Sequence, residues 1–305
     1  MATRHWFTVL AVCAAYSSLR AEDVYRVKLK ESAAGDVSHV EFTDTLNVIW
    51  KIVDADGMSI VNRYRYDETL VYNETVLERK VGERPTRLSR QYEKAEETED
   101  GKKRALPYQG KTVLIEKKGC KYHFLFEGGK EMSPEDATAL DDEFNGDPTR
   151  DEANLVRLML PAKPVALNDV WNADIGQLLK QTSPKNGVAL DPDKANGTAL
   201  LTKVYKMGDR QYGVLHGDAE VPVTSLGNGA RSCILDDGKL TYQIDLDACI
   251  DGLLDEGTVK VISKLNGSGS TSLPSGGRGK FTLIDEDSTT TTRHECVARD
   301  VPPGK

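Results

Sequence analysis

Two long segments of this chain alternate between apolar and polar residues, and this pattern restricts the fold more than any other feature. In residues 42–52 the odd positions are polar apart from Ile49, and residues 240–250 alternate without exception. The even positions of the first segment read Phe42, Asp44, Leu46, Val48, Trp50 and Ile52. A period of two is typical of strands with one buried and one solvated face. Such strands belong to antiparallel sheets, so the pattern predicts long antiparallel strands.

Four short polar segments lie between strand candidates. They are Asp54–Gly57, Lys118–Lys121, Met207–Arg210 and Asp236–Lys239. Their Gly-containing pairs accept the positive φ values that tight turns between antiparallel strands require. Each segment is therefore predicted to be a hairpin turn.

The middle of the chain has helical signals instead. Ser133, Pro134 and the following acids resemble a capped helix N-terminus, which predicts a helix over 134–144. A second helix is predicted over 149–160, because Val156, Met159 and Leu160 share one face. We therefore divide the chain into a signal peptide (1–21), an N-terminal β-rich half (22–130), a helical insert (131–164) and a C-terminal β-rich half (165–300).

Two segments are predicted to be connections. Residues 91–104 are rich in charge and are interpreted as a solvated loop, and residues 265–280 are rich in Gly and Ser and are interpreted as a flexible connection. The expected fold class is mainly β or α+β. We expect long antiparallel strands in one curved sheet (a half-barrel) or in two related sheets, with two short helices in the middle of the chain.

The first 21 residues have the three parts of a secretory signal peptide. A basic start containing Arg4 precedes a short apolar run, and Ala21 supplies a small residue before the first acids. Cys13 ends a stretch similar to a bacterial lipobox, but Val12 stands where a small residue is usual, so a lipid anchor is not expected. The sequence predicts an exported protein, periplasmic or extracellular, without a transmembrane segment.

The charge of the chain argues against two kinds of partner. The formal net charge is −8, and it becomes −10 when Arg4 and Arg20 leave with the signal peptide. An acidic surface repels phosphate, so nucleic acids and anionic membrane surfaces are not expected partners.

Cysteine and histidine usage leaves several structural possibilities open. Four cysteines (Cys120, Cys233, Cys249 and Cys296) follow the leader, and they allow either two disulfides or free thiols. If residues 236–239 form a turn, Cys233 and Cys249 lie on opposite faces, which disfavours a bridge between them. His39, His123, His216 and His294 are isolated, and none lies in a catalytic or zinc-binding motif. No catalytic residue, metal or cofactor is expected.

One segment suggests a family. Residues 160–171 read LPAKPVALNDVW, which resembles an "LP…PV…GD.W" stretch found in uncharacterised exported bacterial β-rich proteins, with Asn168 at the usual glycine. The resemblance implies a leader, a β-rich half, short helices and a second β-rich half. It also implies a distant similarity to the half-barrel of periplasmic lipoprotein carriers, and it brings no catalytic residues. Trp171 is predicted to be a core residue where the second sheet begins.

A curved sheet that helices cover incompletely would keep a hydrophobic groove. We therefore expect an exported, non-enzymatic binding or carrier protein for an apolar ligand, with a lipid or a lipidated protein as partner. A structural or interaction component of the cell envelope is the alternative, and a hydrolase is the third possibility. The same side chains would form a filled core if the cover were complete. The candidate groove residues are Leu46, Val48, Trp50, Tyr64, Tyr66, Tyr242, Ile244 and Leu246.

Overall fold

The computed structural model describes residues 23–146, 152–181, 187–227, 233–273 and 277–296. The predicted signal peptide and Cys13 lie outside these residues, as do the first three residues of the predicted second helix.

Strands dominate the described residues. The strands before the first helix are β1 (Val24–Tyr25), β2 (Val37–Val53), β3 (Ser59–Glu78), β4 (Arg87–Glu99), β5 (Lys102–Ala105), β6 (Thr112–Lys118) and β7 (Lys121–Phe126). The later strands are β8 (Val165–Ala166), β9 (Val170–Asn172), β10 (Val188–Leu190), β11 (Asn196–Met207), β12 (Arg210–Leu226), β13 (Cys233–Cys249), β14 (Gly257–Ser272) and β15 (Arg278–Glu295). The helices are α1 (Thr138–Asn145), α2 (Glu152–Met159) and α3 (Ile175–Gln181).

Within the described ranges, 13 of the strands form a single antiparallel sheet. Its order is β7-β6-β4-β3-β2-β15-β14-β13-β12-β11-β9, with β5 beside β4 and β10 beside β12. The sheet is open, since β7 and β9 lie at its edges, and β1 pairs with β8 in a separate small sheet. The predicted mainly β class with long antiparallel strands is confirmed.

The two halves of the chain are joined by β2 and β15, which pair along almost their whole lengths. Val53 pairs with Lys280 at one end and Ser38 pairs with Glu295 at the other. The strands therefore form one large sheet instead of two related ones.

The sheet has two faces with different surroundings. We call the side that carries the even residues of β2 the inner face, and the opposite side the outer face. Directly paired residues share a face, so one row of inner-face residues runs from Asp44 through Thr289 and Val261 to Ile244. Ile244 is buried, as the alternation in 240–250 predicted.

Helix α1 covers the inner face of the first half. Its Leu140 and Phe144 pack in a cluster with Tyr72, Leu88 and Tyr92 from β3 and β4. Helices α2 and α3 cover the second half with Leu155, Met159, Ile175 and Leu179. Burying an apolar side chain of this size contributes roughly 1.5–3 kcal/mol, so these contacts are what hold the short helices on the sheet.

The segment predicted as a solvated loop, 91–104, forms most of β4 together with β5. That prediction was wrong because the pairing of β4 with β3 shifts register at Glu93, which inserts an extra residue. The buried inner positions are Arg90 and Tyr92 before the shift and Ala95 and Glu97 after it. The bulge breaks the period of two and hides the strand from pattern analysis.

The predicted flexible connection, 265–280, is also wrong. Most of it belongs to β14 and β15, which pair from Gly257 with Arg293 to Ser272 with Arg278. Small residues occur here because of close packing: a Cβ atom at Gly267 would lie 2.9 Å from Cδ1 of Leu235. Glycine in a strand permits such close approach.

Three of the four predicted turns are confirmed, and the fourth is wrong. Residues 54–57, 118–121 and 207–210 connect or end paired strands. Asp236–Lys239 instead lies within β13, where the register shifts between Leu235 and Lys239. Asp237 accepts hydrogen bonds from the Ser268 amide (2.6 Å) and hydroxyl (2.9 Å) on β14, so the Asp-Gly pair forms a bulge.

The cysteines at 120, 233, 249 and 296 are all free. Cys233 and Cys249 are the two ends of β13, and at about 3.3 Å per residue they are roughly 50 Å apart. The predicted helices are present with different bounds, and α3 was not predicted. Its Ile175 and Leu179 are buried, but seven residues are too few to show a clear helical period.

Candidate functional site

Five of the eight predicted groove residues lie together on the inner face of β2 and β3. Leu46 pairs with Tyr66, Val48 pairs with Tyr64, and Trp50 continues the same row toward the end of the hairpin. All five are half-buried. The structure therefore brings them together as a partly accessible surface.

The other three predicted groove residues lie elsewhere on the inner face. Tyr242, Ile244 and Leu246 are 7%, 4% and 2% exposed. Tyr242 and Ile244 belong to the cluster beneath α2 and α3, and Leu246 belongs to the adjoining cluster that contains Val156 of α2. These three side chains fill a core and do not extend the accessible surface formed by the first five.

Trp171 also belongs to the core of the second half. It packs against both clusters beneath the helices, and its indole N–H donates a hydrogen bond to the Met159 carbonyl (2.9 Å). The prediction of a core role for Trp171 is confirmed.

An apolar strip continues the inner face across the seam between the two halves. We define the apolar strip as Val48, Trp50, Ile52, Phe281 and Leu283. Trp50 pairs with Leu283 and Ile52 with Phe281. The hydrophobic cluster that contains these residues is built, among the described residues, from strand side chains alone, with no member from α1, α2 or α3. Phe281 and Leu283 are buried in this cluster (9% exposed each), whereas Val48, Trp50 and Ile52 are half-buried. The accessible part of the strip therefore lies on β2.

Acidic residues adjoin this strip, and sequence reasoning did not select them. We define the acidic cluster as Asp44, Glu68 and Asp287. Asp44 pairs directly with Glu68, and Asp287 pairs with Leu46, the next inner-face residue along β2. Asp44 carried a signal in the sequence, because it is the acidic member of an otherwise apolar set of even positions in 42–52.

The acidic cluster contains oxygen atoms with unsatisfied hydrogen-bonding capacity. Asp44 Oδ1, Glu68 Oε1 and Asp287 Oδ1 are inaccessible to solvent and have no hydrogen-bond partner in the structure. Buried polar atoms are nearly always hydrogen-bonded, and leaving one unpaired is costly. Such atoms need an explanation, and a missing binding partner is one.

Burial controls the protonation of the acidic cluster. Desolvation, a hydrogen bond with Asp287 and the charges of Asp287 and Glu68 raise the pKa of Asp44 to about 9. Desolvation and the charge of Glu143 raise the pKa of Glu68 to about 7, although Arg90 opposes them. At neutral pH Asp44 is therefore a neutral acid that donates to Asp287, while Glu68 is close to its titration midpoint.

A second set of buried charges on the same face is fully paired. Arg90 donates from Nε to Glu74 (2.9 Å) and makes a bidentate pair with Glu143 (2.8 and 2.7 Å). Arg293 donates to the other oxygen of Glu74 (3.0 Å). Burial opposes ionisation of Glu74, but the charges of Arg293 and Arg90 outweigh it and lower its pKa to about 2. This set ties β3, β4, β15 and α1 together.

The acid next to Glu68 on β4 is also paired. Glu97 is 5% exposed and forms an ion pair with Arg104 of β5, and the Tyr66 hydroxyl donates to its other oxygen (3.2 Å). The acidic cluster therefore differs from its neighbours in having no cation partner among the described residues.

Tyr108 is the remaining unsatisfied group near the acidic cluster. Its side chain is 1% exposed, its ring packs against Tyr92 with centroids 4.5 Å apart, and its hydroxyl has no hydrogen-bond partner in the structure. Desolvation and the charges of Tyr92 and Glu68 raise its pKa.

The histidines considered as catalytic candidates lie away from this site. His39 and His294 pair directly across β2 and β15 on the outer face. His216, also on the outer face, lies between Asp245 (2.6 Å) and Asp218 (3.0 Å). His123 lies beside Glu131 on edge strand β7. Within the described ranges, no group of three or more His, Cys, Asp or Glu side chains is arranged to hold a metal ion.

The outer face has a depression of about 380 Å³ over β11–β14, with Asp218, Glu220 and Lys264 among its lining residues. Its walls are polar and apolar in equal parts, and it opens broadly to solvent. It therefore lacks the enclosed, mainly apolar lining typical of small-molecule pockets.

Comparison with known proteins shows no close relative. No family model matches the chain, and no curated protein matches it. A structure of lipovitellin with its lipid–protein interactions is similar over 90% of this chain and 27% of that one, at 9% identity and a TM-score of 0.35. An outer membrane channel from Pseudomonas putida F1 is similar over 88% of this chain and 100% of that one, at 7% identity and a TM-score of 0.18.

The chain spans about a quarter of the length of the lipovitellin chain. TM-scores of this size carry no argument about function, so the site is interpreted from its own residues. In the part of the chain that the structure describes, no helix has the length and apolar character needed to cross a membrane.

Proposed function

We propose that this protein is an exported, non-enzymatic binding or carrier protein whose ligand is a single-chain amphiphile, a lipid in the broad sense. The observation that carries the proposal is the half-buried part of the apolar strip on β2, formed by Val48, Trp50 and Ile52. None of the three described helices packs on it, and it adjoins a polar cluster with unsatisfied atoms. Apolar surface next to a few convergent polar groups is typical of ligand sites.

The shape of the site favours a chain-like ligand. From Asp44 to Ile52 the inner face of β2 runs for eight residues, or about 26 Å at roughly 3.3 Å per residue. The acidic cluster lies at one end of this path, Asp285 pairs with Val48 midway, and Trp50 and Ile52 lie at the other end. A molecule with a polar head and one apolar tail matches this order, whereas a compact apolar molecule would leave the acids unpartnered.

Export is part of the proposal and depends on the sequence. The leader predicted at residues 1–21 supports it. Edman sequencing of the mature protein should begin at Glu22 if cleavage follows Ala21.

The alternative of an interaction component has one observation in its favour. The end of the β2–β3 hairpin exposes Met58, Ile60 and Val61 (72%, 65% and 50%). Such a patch suits contact with another protein. It lies next to the apolar strip and shares no residue with it.

Titration of delipidated protein with the neutral apolar probe N-phenyl-1-naphthylamine tests the proposed function. We expect saturable binding with enhanced probe fluorescence. Val48→Glu on the inner face should weaken binding by about tenfold or more, because it desolvates a charge. Ile49→Glu is the matched control. Ile49 follows Val48 in the sequence but lies on the outer face, where its side chain is 39% exposed.

Circular dichroism must show that both variants keep the β-rich fold. If Val48→Glu does not fold, Trp50→Ala removes apolar surface without adding charge and serves instead. Absence of saturable probe binding to folded wild-type protein would reject the carrier function and leave the interaction role.

A further inference from the structure

We propose that the acidic cluster receives an ammonium group, so that the ligand is a long-chain amine; this inference rests on the function proposed above. The cluster lies on the inner face at the head of the apolar strip. The acidic cluster therefore determines which head group binds, whereas the apolar strip determines only that the ligand has an apolar tail.

The unsatisfied atoms match an ammonium group in hydrogen-bonding type. Asp44 Oδ1, Glu68 Oε1 and Asp287 Oδ1 are acceptors without a donor in the structure. An alkylammonium has three N–H donors and no acceptor, so one such group can satisfy several of these oxygens. A carboxylate head would bring further acceptors and a like charge, and an alcohol would supply one donor.

The nearest cations cannot serve the acidic cluster without breaking other pairs. Arg104 is paired with Glu97. Arg90 is held by Glu74 and Glu143 through three short N–O contacts, and it lies over the ring of Tyr72. Moving Arg90 would leave Glu74 with less compensation inside the sheet, which is strongly unfavourable. The positive charge that the cluster needs must therefore come from outside the described chain.

Tyr108 is a further buried oxygen without a partner. Its side chain is 1% exposed and its hydroxyl has no hydrogen-bond partner in the structure. A phenol oxygen accepts a hydrogen bond as readily as it donates one. Tyr108 belongs to the loop between β5 and β6, and its ring packs on Tyr92 of β4.

Amine binding should be linked to proton release. An alkylamine stays protonated to about pH 10, as lysine does, and its charge favours ionised Asp44 and Glu68. Because Asp44 is neutral and Glu68 half-titrated near pH 7 without ligand, affinity should rise between about pH 6 and pH 9.

Other ionisable groups face the cluster and must be considered in that titration. The acids are Glu97 on β4, Glu143 on α1 and Asp285 on β15, and the cations are Arg90 and Arg104. The phenols are Tyr66 and Tyr108. Glu97 and Glu143 each form an ion pair with one of these two arginines.

The test compares head groups on one tail. Dodecylamine, dodecanol and dodecanoate, each below its micelle concentration, compete with N-phenyl-1-naphthylamine at pH 8. We expect dodecylamine to displace the probe at a concentration at least about tenfold below that of dodecanol, because charge-assisted hydrogen bonds are stronger than neutral ones. Dodecanoate should be the weakest competitor.

Variants then locate the preference. Asp44→Asn combined with Glu68→Gln should abolish the advantage of the amine and retain dodecanol binding. Glu41→Gln, on the exposed outer face of β2, should leave the advantage intact. If the double variant fails to fold, Asp287→Asn provides the same comparison with a single isosteric change.

The outcomes separate the two proposals. Equal competition by the three compounds, or displacement of the amine by calcium chloride at constant ionic strength, overturns the ammonium site while the carrier function stands. Binding of none of the three, together with no binding of the neutral probe, overturns both.

Discussion

Asp44 and Glu68 face each other across β2 and β3 on the inner face of the sheet, and the described chain supplies neither with a cation. On the same face lies a set of compensated charges formed by Arg90, Arg293 and Glu74. The lack of a cation partner therefore distinguishes Asp44 and Glu68 from the neighbouring buried charges.

Replacing Asp44 by Asn should stabilise the fold in a pH-dependent manner. The folded protein holds the Asp44 proton to about pH 9, whereas the unfolded chain loses it near pH 4. Between these values the folded state binds more protons, so this acid lowers stability as pH rises. Asp44→Asn should gain roughly 1–4 kcal/mol at pH 8 and little at pH 4, measured by urea denaturation. The half-buried Asp67, whose pKa is lowered by its hydrogen bond with Arg65, gives the control Asp67→Asn. A pH-independent gain would contradict this account of Asp44.

His216 should contribute stability at low pH. The hydrogen bond to Asp245 and the charge of Asp218 raise its pKa, although burial opposes them. A raised pKa means that its contribution is fully present below about pH 6.5 and is lost as pH rises through the folded value. His216→Gln should cost about 0.5–1 kcal/mol at pH 5.5 and nothing measurable at pH 9. The comparison requires melting curves at both values, and an equal cost at both would show that packing dominates.

Arg90 should be among the most sensitive positions in the protein. Its guanidinium lies over the ring of Tyr72, with 4.4 Å between its carbon and the ring centroid, and pairs with Glu74 and Glu143. Removing it leaves buried carboxylates without compensation, so Arg90→Met should cost roughly 3–5 kcal/mol. The exposed pair of Arg65 with Asp67 gives the control Arg65→Met, with an expected cost of about 1 kcal/mol or less. Chemical denaturation of both variants measures the two costs. A similar loss of stability in Arg90→Met and Arg65→Met would refute the special role of Arg90.

Gly217 should tolerate no side chain while Met159 is present. A Cβ atom there would lie 2.9 Å from the Met159 sulfur, so Gly217→Ala should cost about 1–3 kcal/mol through overpacking. Combining it with Met159→Ala should cost less than the two single changes added together. Gly277→Ala serves as the control, because the added Cβ would meet only Leu273 at 3.9 Å. Additive effects of Gly217→Ala and Met159→Ala would disprove direct contact.

Sequence patterns predicted the strands wherever the alternation was uninterrupted. The even residues of 240–250 lie on the inner face, and the turns at 54–57 and 207–210 end the strands as expected. The failures at 91–104 and 236–239 share one cause, since both are bulges that exchange the faces of later residues. A bulge depends on the partner strand, and that pairing cannot be deduced from local composition.

The site was only partly accessible to sequence reasoning. Leu46, Val48 and Trp50 were identified because they alternate, but Tyr242 and Ile244 alternate in the same way and lie beneath helices. The position of a helix over a sheet is a tertiary property that strand periodicity does not contain. Asp44 stood out within its strand, whereas Glu68 and Asp287 joined it only through the pairing of β2 with β3 and β15.

The pairing of β2 with β15 has a consequence for biogenesis. Strand β2 leaves the ribosome early, and its partner along one whole edge, from Ser38 to Val53, follows only after the rest of the described sheet has been made. Until then that edge exposes unsatisfied amides and carbonyls, which can recruit a strand from another molecule. A holdase that shields nascent chains should therefore matter more for the yield of this protein than for one whose neighbouring strands are consecutive in sequence.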